Sequence, residues 1–114
     1  MKKSPSAYLE DISQCIADIA LYSKGMTRKD FYEKHMVQDA ILLKVAVIGE
    51  IVKRLPLTLR EQEKKIPWKA IAGMRDIVVH EYSEIDLVSV WKTIKKDLPT
   101  LNEAVQRLLK QFRV

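Results

Sequence analysis

The chain has 114 residues, 47% hydrophobic and 31% charged, which suits one modest core and excludes a disordered or fibrous protein. Its net charge of +5 points to a polyanionic partner, and its single cysteine, Cys15, excludes an internal disulfide or a cysteine metal cluster. The richest apolar run, 40–52, is cut by Lys44 and Glu50, and no apolar segment follows the two N-terminal lysines. A single helical domain over residues 1–114, in the cytoplasm, is the expectation.

In chain order the signals are helical. Ser4-Pro5 or Ser6 can open a first helix with Leu9, Ile12, Ile16 and Ile19 on one face, stopped near Gly25. Thr27 with Asp30 has the spacing of a reciprocal cap for a short helix through Phe31 and Tyr32. Residues 36–55 predict the longest helix, with Val37, Ile41, Ile48, Val52 and Leu55 on one stripe and Ala40, Leu43 and Val47 on a second. A helix apolar nearly all round is either central to its domain or shared with a second subunit. Gly49 within it weakens the helix unless a neighbouring helix approaches closely there. Leu55-Pro56 ends this element, and Thr58 to Glu61 has capping-box spacing for a short turn that Ile66-Pro67 breaks.

A helix then runs from Pro67 to near Tyr82. Asp86 caps a further one through Val90, Trp91 and Ile94. Pro99 bends or restarts the chain, and Leu101, Val105, Leu108 and Phe112 stripe the last helix. Glycine is scarce, at three residues, and no alternating strand pattern occurs, so the predicted fold is an all-α bundle of four to five helices.

Charge is unevenly spread. Residues 51–75 hold seven basic and two acidic groups and residues 91–114 hold six and two, whereas 76–90 hold four acidic groups and no basic one. Two basic flanks around an acidic centre are either solvated helix faces or the grip for a phosphate backbone.

The stretch MRDIVVHEYSEID (74–86) carries the chemistry. At about 100° per residue, Ile71, Arg75, Val78, Val79 and Tyr82 share one side, so Arg75 interrupts an apolar stripe. His80 lies roughly 140° round from Arg75, so both reach one small group only if the helix ends or unwinds near His80. Asp76, four residues before His80, can orient its imidazole. An arginine against apolar residues needs an anion. One candidate is structural, a carboxylate of Asp76, Asp86 or Glu50, with His80 a capping or core histidine.

The other candidate is RNA phosphate. An imidazole can take the proton of a 2′-hydroxyl attacking its own phosphate, and arginine offers a planar fork of donors to the transition state. The leaving 5′-oxygen needs an acid as well, which a symmetric dimer supplies by bringing two copies to one cleft. Neither His80 nor His35 has a second ligand at metal spacing, so no metal or cofactor is expected. No helix-turn-helix pattern supports a DNA-binding regulator.

Arg75 to Tyr82 reads R-x4-H-x-Y, and with YLEDI (8–12), QDAILLKVAVIGE (38–50), KRLP (53–56), IPWKAIAGMRDIVVHEY (66–82) and IDLVSVWKTIKKDLP (85–99) the chain resembles the HepT-like toxins of the HEPN superfamily. The resemblance implies a HEPN-type bundle that dimerises with its motifs facing a shared cleft. It implies metal-independent cleavage of mRNA or tRNA by Arg75 and His80. It also implies a minimal nucleotidyltransferase antitoxin that transfers AMP to Tyr82, adding charge and bulk beside the cleft. The family pattern has Phe-Gly after the tyrosine, where this chain has Ser83-Glu84, an added acid that repels RNA. A non-catalytic helical module docking a nucleotidyltransferase is therefore the alternative.

Overall fold

A computed structural model describes residues 3–113, in which every regular element is helical. The first helix, α1 (Pro5–Tyr22), starts as its caps dictate. The Ser4 hydroxyl accepts from the Ala7 N–H at 3.2 Å, and Pro5 occupies the first turn, where no amide donor is needed. Leu9, Ile12 and Ile19 are its buried face. The chain turns at Gly25, whose φ of +75° is the left-handed conformation that a Cβ disfavours.

Thr27 and Asp30 close a reciprocal capping box on α2 (Arg28–Glu33), with bonds of 3.1 and 3.0 Å. The buried Gln38 amide donates to the carbonyls of Phe31 (2.9 Å) and Tyr32 (3.1 Å), satisfying the end of α2 from the start of α3 (His35–Arg54). Along α3, Ile41, Ile48 and Val52 are buried, while Leu43 and Val47 on the second stripe are 62% and 38% exposed. The bundle therefore covers only one of the two apolar faces that this helix carries.

The short helix α4 (Leu57–Arg60) begins one residue before the expected cap at Thr58 and has no side-chain cap. Pro56 has a φ of −57°, already in the range a helix needs, so the hydroxyl has no role in starting it. A single 3-10 turn over Glu61–Glu63 follows, pinned from both sides. The Trp68 indole N–H donates to the carbonyls of Arg60 (3.0 Å) and Glu63 (3.1 Å), and Arg107 grips the Glu63 carboxylate with two bonds of 3.0 and 2.8 Å.

The motif helix, α5 (Trp68–His80), packs along α3, and Trp68 and Ile71 anchor it in the core. A 3-10 turn over Tyr82–Glu84 follows it. Asp86 caps α6 (Leu87–Lys92) by accepting from the Val88 N–H at 3.0 Å and the Ser89 hydroxyl at 2.9 Å. As expected of a restart, Pro99 stands in the first turn of the last helix. A wider π-helical stretch over Thr93–Asp97 joins α6 to α7 (Leu98–Leu109), and the wide turn accommodates the missing amide donor. Leu101, Val105 and Leu108 are buried as the stripe requires, but Phe112, in a terminal 3-10 turn, is 44% exposed.

Four long helical rods (α1, α3, α5 and α6–α7) with two short helices make the all-α bundle the sequence predicts. Among the described residues, no helix is long and apolar enough to cross a membrane.

Candidate active site

Arg75 owes its position to Gly49. A Cβ built at Gly49 would lie 3.0 Å from the Cβ and amide nitrogen of Arg75 and 3.0 Å from the Ile71 carbonyl oxygen. The two helix backbones touch where the motif arginine leaves α5, which is the close approach that justifies glycine inside α3.

From that contact the guanidinium reaches outward, with its side chain 37% exposed. Arg75 Nη1 donates to Asp76 Oδ1 at 3.1 Å, and Nε lies 3.6 Å from Glu50 Oε2. Two more cations complete a surface ladder. Arg54 Nη2 is 3.3 Å from Glu50 Oε1, and Lys53 Nζ is 3.4 Å from Asp76 Oδ1. The arginine and lysine beside it hold the Asp76 carboxyl below its ordinary range. These carboxylates are the structural partners the sequence offered, but the arrangement is half-exposed. Nη2 of Arg75 has no partner among the described residues, so one donor edge of the fork stays available.

His80 is the last residue of α5. At Glu81 the backbone leaves helical geometry (φ −129°, ψ 29°), so the helix stops two residues short of the expected Tyr82. His80 itself is still helical, so its side chain leaves α5 roughly 140° round from Arg75. His80 is exposed, and the Asp76 carboxylate is engaged by Arg75 and Lys53. His35 stands exposed at the start of α3. Among the described residues, no three His, Cys, Asp or Glu side chains cluster as metal ligands would.

Tyr82 is 53% exposed, and its hydroxyl donates to the carboxylate of Asp39, in the second turn of α3. That bond pushes the phenol above its ordinary range, because an adjacent carboxylate disfavours the phenoxide. Sequence reasoning missed Asp39. Its signal was register: Asp39 precedes Leu43 by four and so begins the exposed stripe of α3. Leu43 and Val47 of α3 and Ile77 and Val79 of α5 are exposed apolar residues on these two helices.

On another side of α5 an apolar cavity of about 350 Å³ is floored by Leu42, Val45, Val78 and Val90 and rimmed by Glu81 and Glu84. None of Arg75, His80 and Tyr82 lines it.

Comparison with known proteins adds an independent finding. A model of the family described as "Ribonuclease HepT-like" matches residues 12–108. A Caldanaerobacter subterraneus protein named "Putative RNase" is 38% identical over 109 residues, covering 96% of this chain and 97% of that one. A Thermococcus cleftensis protein named "Probable ribonuclease HepT" is 34% identical, covering 96% of this chain and 100% of that one. A Methanocaldococcus jannaschii protein named "Gamma-glutamylcyclotransferase and putative RNase" is 38% identical over 98% of this chain, which spans only 50% of its length. No solved structure matches the chain at a significant level.

Proposed function

The chain belongs to the HepT-like ribonuclease family, and on that premise we propose that it is a metal-independent endoribonuclease, the toxin of a toxin–antitoxin pair. The observation that carries the reading is the end of α5 at His80, about one and a half turns beyond a half-exposed Arg75 with a free donor edge.

In this mechanism the His80 imidazole removes the proton of a ribose 2′-hydroxyl as that oxygen attacks the adjacent phosphorus. Arg75 offers its open edge to the phosphorane-like transition state, where negative charge grows on the non-bridging oxygens. The products are a 2′,3′-cyclic phosphate and a 5′-hydroxyl. His80 of the partner subunit protonates the departing 5′-oxygen, so the active form is a symmetric homodimer in the cytoplasm. The uncovered Leu43 and Val47, one turn apart on α3, and the uncovered Val79 support that assembly, since exposed apolar side chains favour a partner over water. The basic segments 51–75 and 91–114 flank the RNA (mRNA or tRNA). A minimal nucleotidyltransferase antitoxin silences the enzyme by transferring AMP to Tyr82.

Incubating the protein with RNA in the presence of a metal chelator tests the reading. Wild type is expected to cut and leave cyclic phosphate ends, and Arg75→Ala and His80→Ala to be folded and inactive. Activity that needs added metal, or that survives both substitutions, overturns it.

One observation favours a second reading, a non-catalytic module that docks the nucleotidyltransferase. Glu50 and Asp76 both partner Arg75, and Glu81 and Glu84 add negative charge close by. Under that reading wild type leaves RNA intact in the same assay.

A further inference from the structure

We propose that Asp39 and Tyr82 form a base–nucleophile pair, in which the Asp39 carboxylate takes the phenolic proton as Tyr82 Oη attacks the α-phosphorus of a nucleoside triphosphate. The inference rests on the reading of Tyr82 as an AMP acceptor and names the residue that makes the acceptor competent.

Three observations support the pair. The two residues are 43 positions apart in sequence, yet the Tyr82 hydroxyl donates directly to the Asp39 carboxylate. The 3-10 turn after α5 swings the ring back to the start of α3 rather than out along the helix axis. Asp39 also has no cationic partner among the described residues, unlike Glu50 and Asp76 nearby, so its oxygens are free to accept a proton.

Access is a further point. Tyr82 is 53% exposed and Asp39 is exposed, so a triphosphate held by a second protein can reach the hydroxyl. The other tyrosines are less available. Tyr8 is buried, Tyr22 is half-buried, and the Tyr32 hydroxyl is enclosed without a partner.

A phenol beside a carboxylate keeps its proton at neutral pH, so reaction at Oη needs a base at the moment of attack. In the step, a bond forms between Tyr82 Oη and the α-phosphorus. The bond from that phosphorus to the oxygen bridging to the β-phosphate breaks, and pyrophosphate leaves with the electron pair. The phenolic proton passes to an Asp39 oxygen and then to solvent. The second protein supplies the triphosphate and whatever neutralises its charge.

Two measurements on the full chain separate this inference from the reading beneath it. In the first, N-acetylimidazole acylates the protein alone at neutral pH, and peptide mass mapping follows Tyr82. Asp39→Asn is expected to slow acylation about tenfold or more, with an unchanged melting temperature and recovery in Asp39→Glu. Acylation of Asp39→Asn as fast as wild type, or faster, overturns the pair and makes Asp39 a guard of the hydroxyl. In the second, a minimal nucleotidyltransferase and Mg-ATP replace the reagent. AMP is expected on Tyr82 in wild type, and about 100-fold more slowly in Asp39→Asn. Equal rates overturn the pair. A wild type that gains no AMP at Tyr82 defeats the acceptor reading, while slowed acylation still supports the base.

Discussion

Gly49 of α3 lies against Arg75 of α5 so closely that a methyl group at residue 49 would sit 3.0 Å from the arginine's Cβ and its amide nitrogen. Backbone atoms cannot swing aside, so the missing side chain sets both the spacing of the two helices and the point from which the guanidinium projects. Gly73, on the same helix as Arg75, has nothing within 4 Å of its own would-be Cβ.

The two glycines therefore have opposite expected effects. Gly49→Ala gains up to about 1 kcal/mol of helix propensity but pays roughly 1–3 kcal/mol for overpacking, so it should lower the melting temperature. Cleavage should fall with it, because α5 must shift. Gly73→Ala meets no atoms and should stabilise by up to about 1 kcal/mol. Thermal melts of both variants check the signs, and a stabilised Gly49→Ala would contradict the close approach.

Arg75→Ala should leave the melting temperature close to wild type, since its carboxylate partners are half-exposed and screened by water rather than stranded in the core. RNA cleavage should fall by about 100-fold or more, the scale for losing one transition-state donor. His80→Ala should likewise keep the fold and lose cleavage, because the residue is exposed at a helix terminus and a base serves the chemistry. Melts run beside a metal-free cleavage assay measure both. An unfolded Arg75→Ala would return the arginine to a structural role.

Sedimentation of the wild type should show a dimer at micromolar concentration, and Leu43→Glu with Val47→Glu should make it a monomer that no longer cuts. Both side chains are exposed in the single chain, so the substitutions leave the core untouched. If segments 51–75 and 91–114 hold RNA, affinity should drop steeply between low and physiological salt, in proportion to the phosphates neutralised. A monomeric wild type, or a flat salt dependence, would remove the corresponding surface.

Tyr82 should titrate above the ordinary phenol range, and Asp39→Asn should bring it back down, because the amide carries no charge to oppose the phenoxide. The sign follows from the raised value. The Asp39 bond stabilises the fold fully below the ordinary phenol range and loses its contribution as pH rises through the Tyr82 pKa. NMR of ring-labelled tyrosine, with Tyr82→Phe identifying the resonance, measures the shift. Tyr82→Phe should also take up no AMP and should escape the antitoxin in cells, and an adduct that persists in this variant would move the acceptor elsewhere.

Local chemistry was legible without the fold. Ser4-Pro5, Thr27 with Asp30, and Asp86 are caps because hydroxyl and carboxylate oxygens satisfy amides two or three residues away, and no tertiary contact is needed to place them. The two apolar faces of α3 and the R-x4-H-x-Y motif were equally plain, being matters of period and spacing. Thr58 misled, because α4 starts at Leu57 behind Pro56 and takes no side-chain cap. The ladder from Arg54 through Glu50, Arg75 and Asp76 to Lys53, and the bond from Tyr82 to Asp39, belong to tertiary structure. They join α3 to residues on or just after α5, and which residues meet depends on the crossing and spacing of two helices. One buried glycine sets that spacing, and no periodicity within a single helix encodes what stands opposite it.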